Sequence, residues 1–133
     1  KFMRASAPLR SSIWMKGTPG YMAPEQTGYT KKKKGPHSDI FSLGAILYTI
    51  LTHRKPFAAD SLKQIIQKTI EGDFALPSSF DNDLPSQLEL ICLKSLSVPL
   101  EERYASVEAL KNDILAFRNG YAISAEKNSN LKI

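Results

Sequence analysis

Residues 39–53, reading DIFSLGAILYTILTH, constrain the fold of this chain more than any other stretch. Ser38 can cap a helix at their start. His53, Arg54 and Lys55 place positive charge at the far end, and Pro56 stops the helix. At roughly 100° per residue, the apolar positions from Ile40 to Leu51 sweep about 260° of the surface, and only Ser42 and Thr49 share a polar strip. A surface helix carries a narrower stripe, so this one is expected to be buried on most sides. A bilayer needs ~20 apolar residues, and this run is too short to cross one. It therefore needs helical neighbours.

The rest of the sequence supplies some of them. Residues 1–22 have no sustained period and are punctuated by Pro8, Gly17, Pro19 and Gly20, which reads as an irregular loop that Trp14 and Met15 could anchor. Pro24-Glu25-Gln26 can open a short helix. After Pro56 and Phe57, Asp60 is a cap candidate for a helix with Leu62, Ile65, Ile66, Thr69 and Ile70 on one face, ended by Gly72. Pro85 suits the first turn of a third helix with Leu88, Ile91, Cys92 and Leu96 inward, interrupted by Pro99. Ser106 can cap a last helix burying Val107, Leu110, Ile114 and Phe117, and Asn119-Gly120 can end it. Residues 121–133 look like a polar tail or linker, and no convincing strand is visible.

Charge and motif content exclude several function classes. Residues 1–36 carry eight Lys/Arg against Glu25 alone, whereas residues 37–133 carry ten against twelve acids. The basic character thus belongs to the N-terminal segment, densest at Lys31-Lys32-Lys33-Lys34. That run reads as a solvated loop or as a nucleic-acid patch; no aromatic residue interleaves the lysines, and the helices add no net basic face, so no nucleic-acid partner is expected. The single cysteine, Cys92, lies in an apolar helical stretch and reads as a small core residue. His37 and His53 have no Cys or acid at ligand spacing, so no metal site is expected. There is no G-x-S-x-G elbow, G-x-G-x-x-G or G-x-x-x-x-G-K-[ST] loop, signal peptide or transmembrane run.

Three stretches, taken together and in order, resemble a protein kinase. Gly17-Thr18-Pro19-Gly20-Tyr21-Met22-Ala23-Pro24-Glu25 is similar to the end of an activation segment, with Ala23-Pro24-Glu25 as its A-P-E motif. Residues 38–48, running to Pro56-Phe57, look like the central helix of the kinase large lobe. Glu102-Arg103-Tyr104-Ala105-Ser106 resembles the last motif before the final helix. The particular forms are similar to bacterial kinases of the eukaryotic-like serine/threonine type. The implied fold class is mainly α, the lower half of the large helical lobe of an α+β kinase-like domain, truncated. Its expected parts are the activation-segment end 1–26, a connection 27–37, the central helix 38–53, lobe helices over 60–120, and a tail 121–133.

The resemblance also implies roles. Residues Gly17, Thr18, Pro19, Gly20, Tyr21 and Met22 match the loop that docks the residue next to the phosphoacceptor, with Thr18 facing the catalytic aspartate and lysine. Glu25 matches the glutamate that pairs with a late arginine, here Arg103, and Asp39 matches the acid that accepts hydrogen bonds from the catalytic-loop backbone. Pro99-Leu100-Glu101-Glu102-Arg103 departs from the usual Asp-Pro-x-x-Arg, which puts the local turn in doubt. Ser6, Ser11 and Ser12 are candidate phosphosites beside Arg and Lys. Phosphoryl transfer needs motifs that the family carries at or before the position of Lys1, and none is in this chain. His53-Arg54-Lys55 is not H-R-D, and Asp73-Phe74-Ala75 lacks the glycine of D-F-G. The expectation is a cytoplasmic fragment of a kinase that uses ATP and Mg²⁺ when complete, binds neither alone, acts on protein Ser/Thr, needs its N-terminal half, and meets a membrane only through regions outside this chain. A pseudokinase scaffold would carry the same motifs here and is the alternative.

Overall fold

The computed structural model describes residues 18–31 and 33–126. Gly17, Trp14, Met15, Lys32 and the three candidate phosphosites lie outside them. Among the described residues there are helices and turns and no strand. The helices are α1 (Pro36–Thr52), α2 (Leu62–Glu71), α3 (Ser86–Ser95) and α4 (Val107–Arg118). Short 3-10 turns occupy Pro24–Gln26, Pro77–Ser79 and Leu100–Glu102.

Helix α1 begins earlier than the sequence suggests. Gly35 is the cap and Pro36 the first helical residue, so Ser38 sits inside the first turn. Proline there has a preset φ and no N–H to satisfy, which favours the earlier start. Its hydroxyl is thereby free to serve another group. At the other end His53 turns into the left-handed region at φ 62°, closing the helix before Pro56. Ser61, not Asp60, caps α2: its backbone is extended and its oxygen accepts from the Gln64 N–H at 3.2 Å. Helix α3 ends at Ser95, well before Pro99, with the Ser95 hydroxyl turned back onto the Ile91 carbonyl at 2.9 Å. Ser106 caps α4 as expected.

Two apolar clusters flank α1. Phe41, Ala45 and Tyr48 pack with Phe57, Cys92 and Leu96 on one side, and Ile40 packs with Ile91, Tyr104 and Leu110 on the other. Helix α3 crosses close over α1 at Gly44, where a Cβ would stand 2.5 Å from the Ser95 Cβ. Burial of α1 is nevertheless narrower than its 260° arc implies. Leu43, Ile46 and Ile50 are exposed, Ile50 to 66%. Val107 and Ile114 of α4, expected inward, are exposed beside them. These residues line an apolar groove of about 300 Å³ between α1 and α4.

The packed unit also runs past Gly120. Ile123 and Ala125, in the stretch read as tail, are buried against α4. Asp113 holds them there: its carboxylate accepts from Tyr104 Oη at 2.6 Å, from the Ser124 N–H at 2.7 Å and hydroxyl at 2.8 Å, and from the Ala125 N–H at 3.2 Å. Burial alone would raise this carboxyl, but the four hydrogen bonds take it below the ordinary aspartate value. Among the described residues no helix is long and apolar enough to cross a membrane.

Candidate functional site

Residues 18–22 form a turn seated on α1. The Tyr21 N–H donates to the Thr18 carbonyl at 3.0 Å. Gly20 lies at φ 96°, and a Cβ there would meet the Phe57 carbonyl oxygen at 3.0 Å, so both conformation and space require glycine. The polar strip of α1 holds the turn. Ser42 Oγ donates to the Tyr21 carbonyl at 2.8 Å, and Tyr21 Oη and Thr49 Oγ1 share a hydrogen bond at 3.0 Å. The Lys55 ammonium stands 5.5 Å from the Tyr21 ring centre. Met22 and Ala23 are buried beneath, while Thr18 is exposed. Thr18 and Tyr21 border a shallow depression that shares Ile46 and Ile50 with the apolar groove.

The next residues enter the 3-10 turn Pro24–Gln26, closed by the Ala23 N–H donating to Gln26 Oε1 at 2.8 Å. This points Glu25 inward. Arg103, from the other end of the lobe, meets it: Nη1 donates to Glu25 Oε2 at 2.8 Å and Nη2 to Oε1 at 3.4 Å, with both side chains 0% exposed. The remaining guanidinium protons go to the carbonyls of His37 at 2.8 Å, Ser97 at 2.9 Å and Val98 at 3.4 Å. All five donors of the fork are therefore used. The guanidinium also lies 5.0 Å from the Phe41 ring centre. Ser38 Oγ donates to Glu25 Oε2 at 2.8 Å, and His37 Nε2 is 3.7 Å from the same oxygen. Burial alone would raise the Glu25 carboxyl, but hydrogen bonds from Arg103 and Ser38 and the guanidinium charge hold it below the ordinary glutamate value. The shifted proline that put the Arg103 turn in doubt does no harm to the pair, because the turn Leu100–Glu102 still delivers Arg103 into the core.

Asp39 stands exposed at the start of α1, and among the described residues no hydrogen bond reaches its carboxylate. It is separate from the Glu25 cluster. Sequence reasoning missed Ser38 as a partner of Glu25, Gln26 as the brace of its turn, and Asp113 as a hub. The Gln26 role had a signal, a glutamine three residues after Ala23; the other two contacts are long-range.

A helical lobe built on one long apolar helix, with the 3-10 turn before that helix ion-paired to an arginine 78 residues after Glu25, is the arrangement that the resemblance to the large lobe of a protein kinase implies. The profile of the family described as protein kinase domain matches residues 5–115. Tyrosine-protein kinase MasK of Myxococcus xanthus is 36% identical over 103 residues, 77% of this chain and 16% of its own length. The probable serine/threonine-protein kinase PknB of Bifidobacterium longum is 34% identical over 117 residues, 87% of this chain and 16% of its own. Serine/threonine-protein kinase PknB of Mycolicibacterium smegmatis is 33% identical over 112 residues, covering 84% and 17%. The chain belongs to the protein kinase domain family, and it spans about a sixth of the length of these bacterial relatives.

Proposed function

We propose that this chain is the substrate-docking part of a serine/threonine protein kinase that moves the ATP γ-phosphate to a protein hydroxyl. The observation that carries the reading is the buried Glu25–Arg103 pair. It fixes the A-P-E turn to the end of the lobe and so supports the turn of residues 18–22 over α1. In this reading Thr18, exposed at the front of that loop, faces the reacting groups, and the residue after the acceptor lies against residues 19–22. Asp39 accepts backbone N–H groups of the catalytic loop, which fits an exposed carboxylate without a partner among the described residues.

In this reading the nucleotide is held elsewhere in the domain. The chain has no glycine-rich phosphate loop, and among the described residues no group of three or more His, Cys, Asp or Glu is gathered for Mg²⁺. ATP and Mg²⁺ would be held by the upstream part of the domain, seated on the apolar face of Leu43, Ile46 and Ile50. In the cytoplasmic protein Ser6, Ser11 and Ser12 would be phosphosites, which phosphopeptide mapping checks.

The test is phosphate transfer by the full-length protein to matched peptides that offer Ser, Thr or Tyr. Transfer to Ser or Thr, lost in Asp39→Ala, supports the reading. Transfer to Tyr alone would correct the acceptor class, in line with the name of the Myxococcus relative. Folded protein with no transfer to any acceptor would replace it with the pseudokinase scaffold.

A further inference from the structure

The lysine run is absorbed by none of the roles above. Lys31, Lys33 and Lys34 are exposed, and among the described residues none of them forms an ion pair. The only acid in residues 1–36, Glu25, is buried and committed to Arg103. The backbone at Lys33 and Gly35 is tied to the start of α1. His37 Nε2 and the Lys33 carbonyl are hydrogen-bonded at 2.9 Å. The Gly35 N–H donates to Ser38 Oγ at 3.3 Å, and Ser38 in turn donates to Glu25. The backbone at Lys33 and Gly35 is thus linked to the buried pair, while the side chains of Lys31, Lys33 and Lys34 are exposed. Asp39 is the exposed acid at the same end of α1, one charge against three.

The loop is also near the docking turn. Gln26 is bonded to Ala23, and Lys31 follows Gln26 by five residues, which span at most about 17 Å. An extended peptide covers that distance in about five residues. We propose that Lys31, Lys33 and Lys34 form a docking surface for acidic residues flanking the acceptor in the protein substrate. This rests on the kinase reading. Clustered positive charge selects carboxylates by Coulomb attraction, and exposure makes the preference salt-dependent. A nucleic acid is the less favoured partner, because among the described residues Tyr29 is the only exposed aromatic within a few positions of the lysines in sequence, and none lies between them.

The experiment uses the full-length protein and two acceptor peptides that differ only in Asp/Glu against Asn/Gln around the acceptor. The triple variant Lys31→Glu/Lys33→Glu/Lys34→Glu is compared with wild type and with the triple Lys→Arg variant. Charge reversal should lower kcat/KM for the acidic peptide roughly tenfold at low salt, leave the neutral peptide unchanged, and be rescued by arginine. Fluorescence anisotropy of the labelled acidic peptide should lose affinity in the same order. The inference is overturned if wild type treats both peptides alike, if reversal lowers both equally, or if a single-stranded oligonucleotide of matched length binds more tightly than the acidic peptide. If wild type phosphorylates neither peptide, the kinase reading fails, and the anisotropy series still decides this one.

Discussion

Replacing Arg103 by alanine is the sharpest perturbation of this lobe. The substitution removes five hydrogen bonds and leaves the Glu25 carboxylate, 0% exposed, with Ser38 as its remaining close donor and His37 at 3.7 Å. The carbonyls of His37, Ser97 and Val98 lose this donor as well. Breaking a buried pair from one side costs about 3–5 kcal/mol, and the deprived carbonyls push the value toward the upper end. Arg103→Lys keeps the charge but not the fork, so it should cost less, about 2–3 kcal/mol. Glu25→Gln with Arg103→Met should recover part of the loss, because no buried charge is then stranded. Urea unfolding of the full-length protein, followed by circular dichroism and compared among these variants, measures each difference. A loss below about 1 kcal/mol for Arg103→Ala would refute the buried-pair argument.

Gly44→Ala should destabilise by about 1–3 kcal/mol, read by the same unfolding curves, since the new methyl meets Ser95 at 2.5 Å. Glu25 and Asp113 both have folded pKa values below their unfolded references of 4.5 and 3.8. Their stabilisation is therefore complete above those references and is lost as pH falls through the depressed folded values. A pH series should show stability falling below about pH 4, and Asp113→Asn should flatten that fall while exposing the amides of residues 124 and 125 to hydrogen exchange. Cys92 is buried, its thiol donates to the Gly44 carbonyl at 3.5 Å, and burial pushes its pKa up to about 12. Iodoacetamide at pH 8 should spare it in the native protein and modify it in urea, as peptide mass spectrometry will report. The 133-residue chain alone should bind an apolar dye such as ANS through the groove beside Ile46 and Ile50; no dye signal with a cooperative melt would mean that face is covered.

The central helix was legible in the sequence because its signals are local: an apolar period, a proline after its end and charge at its C-terminus; its start was read three residues late, at Asp39 after Ser38 instead of at Pro36. The same holds for the caps at Ser106 and Gly72 and for the inward face of α3. The pairing of Glu25 with Arg103 was legible only through the resemblance, since no spacing rule joins residues 78 positions apart. Tertiary structure alone decided which side of α1 is covered. Apolar periodicity reports the surface a helix can bury, and burial itself depends on the neighbours present; Leu43 and Ile50 satisfy the pattern and still face out. It likewise decided that Ser38 sits at the third helical position and links the Gly35 N–H to Glu25 instead of being the cap residue itself, and that the polar-looking stretch after Gly120 docks through Asp113. A buried carboxylate binds whichever donors the fold brings within about 3 Å, and chain order carries little trace of that meeting.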